Sequence, residues 1–307
     1  MSFASETKRE LCRISPKPCC KKAECYGLFL FGRSFTASSV QLKTENRAVA
    51  ERAARFALEI SGASMKISGS HGKNGAAALT VSAESRSDSE KILGALGHTG
   101  TEISLRINLG NLENECCPAA FLRGAFLACG TAADPGREYH LEFSVPHRNL
   151  ANDLIALIRD NLSLGIEPRV SRRGAEYVVY VKGTRHVADF LAYLGAQDAA
   201  MRILQVRMFK DLRNRVNRQT NFETANLGKT ASAAAMEVLA IRKIQRTRGL
   251  SLLPEDLRKL AVLRLRHPEL SLRELGACLT PPLSRSGVHH RMGRILKFAE
   301  HMENRRS

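Results

Sequence analysis

Residues 19–30 read CCKKAECYGLFL and residues 116–127 read CCPAAFLRGAFL, so one frame, C-C-x-x-A-x-x-x-G-x-F-L, recurs 97 residues along the chain. A match that dense marks a duplicated structural unit, and it constrains the fold more than any other feature of the 307 residues. The flanks repeat in the same order. A short polar turn follows each motif, then strand-like stretches near 34–44 and 137–145. Amphipathic helical patterns come next, Arg47–Ile60 and Arg148–Leu162. Strand pairs follow at Ser64–Ser68 with Ala77–Ser82, and at Pro168–Ser171 with Tyr177–Val181. A final helix closes each half, Asp88–Gly97 and Thr184–Gly195.

Each half therefore predicts α-β-β-α-β-β-α, and two halves make one pseudo-symmetric domain of α+β class over 19–200, with halves 19–97 and 116–195. Residues 1–18 predict a leading helical segment that Ser5, with Glu6 behind it, would cap. In the motif helices, Cys20–Phe31 and Cys117–Ala128, small residues fall four apart on one face: Ala23 with Gly27, and Ala120 with Gly124. Such a seam lets two helices approach closely. This tandem arrangement resembles the LAGLIDADG homing endonucleases, and the resemblance implies two sheets forming a saddle over duplex DNA.

In that family each motif helix ends in a carboxylate, and the pair holds divalent metals between the scissile phosphates. Aligned on Gly27 and Gly124, those positions are Gly32 and Cys129, neither of which offers a hard oxygen ligand. The nearest acids, Glu24 and Asp134, are not equivalent to each other in the repeat. The expectation is a binding platform with no catalytic residues, no metal and no cofactor. The eight cysteines point the same way: Cys12, Cys19, Cys20 and Cys25 match no C-x2-C…C-x2-C spacing and read as reduced, buried small hydrophobes.

Charge divides the chain unevenly. Residues 1–200 hold 25 Lys/Arg against 21 Asp/Glu, whereas residues 201–307 hold 22 against 9, so +13 of the +17 net charge sits in the last third. A basic block of that size suits a polyanion, because phosphate neutralisation releases condensed counterions. Residues 198–216 predict a basic helix, and 217–230 (NRQTNFETANLGKT) predict a polar loop, so that 201–230 serve as basic helix and linker. Residues 231–307 then carry a helical plan. Ala231–Arg248 and Glu255–Arg266 read as helices. Ser271-x-x-Glu274 is a capping box for Leu272–Leu279, and Pro281-Pro282 turns the chain into a last helix from Ser284 through Ala299. A short capped helix, a turn and a longer basic helix make a helix-turn-helix. Val288, Met292, Ile295, Leu296 and Ala299 form the expected buried stripe, leaving Ser284, Arg285, Ser286, His289, His290, Arg291 and Arg294 as candidate DNA contacts. Arginine suits bidentate contact with guanine, and serine suits phosphate.

The helix order resembles region 4 of bacterial sigma factors. A degenerate LAGLIDADG-like domain, the linker Asn221, Glu223, Thr224, Ala225, Asn226, Leu227, Lys229, Thr230 and the segment SRSGVHHRMGRI (Ser284–Ile295) together resemble the WhiA family of bacterial transcriptional regulators. Phe222 stands where that family leads one to expect Cys. The resemblance implies a sequence-specific regulator of cell division, chromosome segregation or sporulation genes, without nuclease activity. Its partners would be double-stranded promoter DNA and, where the LAGLIDADG-like domain docks a protein rather than adding phosphate contacts, another transcription factor or an RNA polymerase sigma factor. The alternatives are an active homing-type endonuclease or RNA-maturation factor, and a scaffold whose DNA affinity is incidental. The polar N-terminus and the lack of long apolar runs predict a cytoplasmic, nucleoid-associated protein with no membrane partner.

Overall fold

Ser2, rather than Ser5, opens the first helix: its hydroxyl accepts from the Ser5 N–H at 3.2 Å and caps α1, Phe3–Leu11. The computed structural model describes residues 2–71, 77–161 and 165–301. Leu162 and the C-terminal residues 302–307 lie outside the described residues. After α1 the first half runs α2 (Pro18–Leu30), β1 (Ser34–Thr36), β2 (Ser39–Thr44), α3 (Arg47–Ser61), β3 (Met65–His71), β4 (Ala77–Ala83) and α4 (Arg86–Ala95). The second half repeats it as α5 (Cys117–Cys129), β5 (Gly130–Ala132), β6 (His140–Val145), α6 (Arg148–Asn161), β7 (Arg169–Arg173), β8 (Glu176–Lys182) and α7 (Thr184–Leu194). Both sheets are antiparallel and have equivalent orders, β1-β2-β4-β3 and β5-β6-β8-β7. The repeat read from twelve-residue motifs thus extends to strand pairing.

Proline in the first turn starts both motif helices, where a missing N–H costs nothing. The helices meet through reciprocal glycines. A Cβ on Gly27 would overlap the Phe121 carbonyl oxygen and lie 2.8 Å from the Ala125 nitrogen. A Cβ on Gly124 would overlap the Glu24 carbonyl oxygen and lie 2.9 Å from the Leu28 nitrogen. Each glycine therefore admits the backbone of the opposite half, with Ala23 and Ala120 buried beside them. Around this seam pack the inward faces of both sheets, including Val40, Leu42 and Val81 in one and Leu141, Phe143 and Val179 in the other. The connection between halves is tied down by Asp153 of α6, which accepts from Arg106 Nε at 2.8 Å and from the Ile107 N–H at 3.0 Å.

The chain divides into two compact units at Asp211. That boundary falls inside α8, Gln197–Thr247, a single helix of 51 residues. The carboxylate of Glu10 caps its start, accepting from the N–H groups of Asp198 (2.7 Å) and Ala199 (3.1 Å). The polar loop expected over 217–230 is instead helical. The segment is rich in Asn and Thr, but these cost only fractions of a kcal/mol each in a helix, about 0.7 at most. It contains no proline and one glycine, Gly228. Local side-chain bonds run along it in helical spacing, Gln219 Nε2 to Glu223 Oε1 at 3.0 Å and Thr230 Oγ1 to the Asn226 carbonyl at 2.9 Å. Polar composition alone does not end a helix.

The second unit adds α9 (Glu255–Arg266), α10 (Leu272–Ala277) and α11 (Arg285–His301) to the C-terminal part of α8. Its core joins Ile241 and Ile244 of α8, Leu257 and Leu260 of α9, Leu275 of α10, and Val288, Met292, Ile295 and Ala299 of α11. Leu296, expected in that stripe, is only partly buried at its margin.

Candidate nucleic-acid interface

The feet of the motif helices are where a LAGLIDADG nuclease would hold metal. At Gly32 a side chain has no room. A Cβ there would lie 2.5 Å from the Gln41 carbonyl oxygen and 3.0 Å from that of Phe29. The crowding follows from the sheet, since the Arg33 N–H next door donates to Gln41 O at 2.8 Å. The equivalent Cys129 ends α5 as a partly buried side chain, and burial pushes its thiol up to about 12. Beside it the Lys8 ammonium donates to the Leu127 carbonyl at 3.1 Å and lies 5.8 Å from the centre of the Phe126 ring. Burial lowers the Lys8 pKa. A crowded glycine, a neutral thiol and a lysine do not fit a hard divalent cation, which takes oxygen ligands.

Glu24 and Asp134 both have structural work. Glu24 is fully buried in α2 and joins two arginines: Arg52 of α3 through Nε at 2.5 Å and Nη2 at 3.1 Å, and Arg123 of α5 through Nε at 2.8 Å. The Nη1 groups of Arg52 and Arg123 reach the carbonyls of Cys12 and Leu194 respectively, each at 3.0 Å. One carboxylate thus links both motif helices, α3, and the ends of α1 and α7. Asp134 is exposed, and its Oδ1 accepts from the Gly136 N–H at 2.7 Å, forming the turn after β5.

On the outer face of the second sheet charge is mixed. Glu142 accepts from Arg173 at 3.2 Å and sits 3.1 Å from His140 Nε2, while His140 stacks on Tyr180 with ring centres 5.5 Å apart. The exposed edge strand β7 carries Arg169, Arg172 and Arg173.

The helix-turn-helix is built as its sequence implies. The Ser271 hydroxyl accepts from the Glu274 N–H at 3.3 Å, and Glu274 Oε2 accepts from the Ser271 N–H at 2.8 Å, closing the capping box on α10. The turn then folds back on Gly276. Its carbonyl accepts from the Leu283 N–H at 2.9 Å, and a Cβ there would overlap the Leu283 carbonyl oxygen. Ser284 Oγ accepts from the Gly287 N–H at 3.2 Å and starts α11. This leaves the Ser284 O–H to donate outward. Arg285, Ser286, His289 and His290 are exposed beside it in the first turns. Arg291 and Arg294 differ from these, because both lean to Asp256 in the first turn of α9, at 3.7 and 3.5 Å. Below the surface Arg264 of α9 pairs with Glu237 of α8 at 2.8 Å and donates to the Leu270 carbonyl at 2.6 Å. That buried bridge was not legible in the sequence, where Arg264 reads as one more surface charge.

Among the described residues no helix is long and apolar enough to cross a membrane. Residues 118–213 match the family model of the WhiA LAGLIDADG-like domain, and residues 216–299 match that of the WhiA C-terminal HTH domain. The chain is 37% identical over 312 residues to the "Probable cell division protein WhiA" of Desulfitobacterium hafniense, covering 99% of this chain and 97% of that one. To the protein of that name from Desulforudis audaxviator it is 37% identical over 314 residues, 98% of each chain. The crystal structure of full-length DUF199/WhiA from Thermatoga maritima superposes with a TM-score of 0.59 at 25% identity, covering 98% of this chain and 99% of that one. The repeat, the helix-turn-helix and these similarities converge: the chain belongs to the WhiA family.

Proposed function

We propose that this protein is a sequence-specific DNA-binding transcriptional regulator whose helix-turn-helix reads promoters of cell division, chromosome segregation or sporulation genes. The observation that carries the reading is the exposed start of α11, set on a buried stripe and fixed by the capped α10 before it. In this reading Arg285, Ser286, His289 and His290 enter the major groove, and Ser284 donates to a phosphate. Arg291 and Arg294, paired to Asp256, contact the flanking backbone. The name carried by the relatives supports a role in cell division. Replacing Arg285 by alanine in the full chain should weaken binding to a specific promoter fragment by about 1–3 kcal/mol and relax discrimination against random duplex. Salt-titrated binding to both duplexes measures this. Equal losses on both would make Arg285 a phosphate contact, and no preference between the duplexes in the native protein would favour a scaffold with incidental affinity.

In the same reading the N-terminal unit does not cut DNA. Its sheet faces dock a protein, another transcription factor or a sigma factor, as the mixed charge around Glu142 and the near-neutral balance of residues 1–200 suit. Supercoiled plasmid incubated with Mg²⁺ or Mn²⁺ should stay intact with the native protein and with a Gly32→Asp variant, which should also lose about 1–3 kcal/mol of stability to overpacking. Metal-dependent nicking that disappears on mutation of Glu24 or Asp134 would overturn the reading in favour of an endonuclease.

A further inference from the structure

The vicinal cysteines that open the repeat are brought together by the fold. Cys19-Cys20 begins α2 and Cys116-Cys117 begins α5, so the close α2–α5 seam sets one pair against the other. Cys19 Sγ lies 3.8 Å from Cys116 Sγ and 4.0 Å from Cys20 Sγ, and all four sulfurs fall within 4.8 Å of one another. Cys20 and Cys117 are buried, whereas Cys19 and Cys116 are half-buried. Cys12, Cys25, Cys129 and Cys278 do not join the group.

This spacing is that of a tetrathiolate centre. With zinc–sulfur bonds of about 2.3 Å, a tetrahedron has edges of about 3.8 Å. The closest sulfurs already stand at that distance, and small side-chain rotations bring in the others. A disulfide would need sulfurs about 2.05 Å apart. Four sulfur donors with no oxygen or imidazole among them select a soft or borderline cation, and a closed tetrahedral S4 set is the structural zinc arrangement. Four thiolates around Zn²⁺ leave a net charge of −2, which the surroundings suit. The positive ends of two helices meet there, neither capped by a side chain, and Lys17 and Lys22 flank the first pair.

We propose that Cys19, Cys20, Cys116 and Cys117 bind one zinc ion that staples the two halves at the N-terminal end of their seam. On binding, each thiol releases its proton to solvent and no redox change occurs. The proposal departs from the sequence expectation of no metal. Sequence spacing hides the set because half of these ligands lie 97 residues from the other half.

The test uses the full chain, purified under reducing conditions without chelator. Elemental analysis should return one zinc per chain. Stripped protein titrated with Co²⁺ should develop sulfur-to-cobalt charge-transfer absorption and tetrahedral d–d bands that saturate at one equivalent and vanish when Zn²⁺ is added. Alkylation of the native zinc-loaded protein should spare these four cysteines, and chelation should lower the melting temperature until zinc is restored. Cys20→Ser or Cys117→Ser should weaken cobalt binding at least tenfold, while Cys278→Ser should not. The spectrum of the unmutated protein decides, whether or not a serine variant folds. Absence of the thiolate–cobalt band, an iron–sulfur chromophore in place of zinc, or a disulfide within the group would each overturn the proposal.

Discussion

Glu24→Ala is expected to destabilise the N-terminal unit by about 3–5 kcal/mol, the cost of leaving buried charge without its partner. The effect is large because the carboxylate serves two guanidinium groups at once, and both Arg52 and Arg123 are buried. Neither arginine can turn to water without leaving the carbonyls of Cys12 or Leu194. For a unit of about 200 residues the melting temperature should fall by roughly 10 °C. Glu24→Gln keeps part of the hydrogen bonding but removes the charge, so it should fall between the two. Replacing all three residues by apolar side chains of similar volume should recover most of the loss, since the desolvation of three ions is then avoided. Urea unfolding followed by far-ultraviolet circular dichroism measures the series. A Glu24→Ala variant within about 1 kcal/mol of the parent would remove the cluster from the structural core, against the cost expected for a buried pair.

In the C-terminal unit the corresponding experiment is Arg264→Met. It strips Glu237 of its counter-ion in a site where burial already raises the carboxyl above its ordinary 4.5, with Arg264 the main influence holding it down. The expected loss is about 3–5 kcal/mol, a large part of the 5–15 kcal/mol typical of a whole domain. The pH dependence carries a definite sign. A carboxyl whose folded pKa is raised binds its proton more tightly folded than unfolded, so stability increases as pH falls from the raised value towards 4.5. Without Arg264 that window extends upward, and the variant should be more stable at pH 5 than at pH 8 relative to the parent. Thermal melts across pH measure both effects. A flat difference between the two proteins would show that Glu237 reaches solvent in the variant.

The two halves of the first unit were legible because duplication prints itself in sequence. Cys-Cys, Ala, Gly and Phe-Leu recur at fixed offsets, and Gly27 and Gly124 occupy the positions where the opposite backbone passes. The capping box at Ser271 and Glu274 was legible for a similar reason, since its two bonds join residues three apart. Contacts between distant residues were not. Glu24 gives no sign of Arg52 or Arg123, because an ion cluster has no periodicity and its three members come from three helices. The α11 surface fell between these cases. Spacing placed Val288, Met292, Ile295 and Ala299 inside, but could not show that Arg291 and Arg294 share Asp256 with α9.

Gly32 has a further meaning when the chain is considered over evolutionary time. Every glycine codon is one base change from an acidic codon, so a carboxylate at this foot is always within a single mutation. The fold opposes that mutation, because the Gln41 carbonyl lies where a Cβ would go. An acid at this position therefore requires the strand to shift. At position 32 an acidic side chain is therefore close in the genetic code and opposed by the packing of β2.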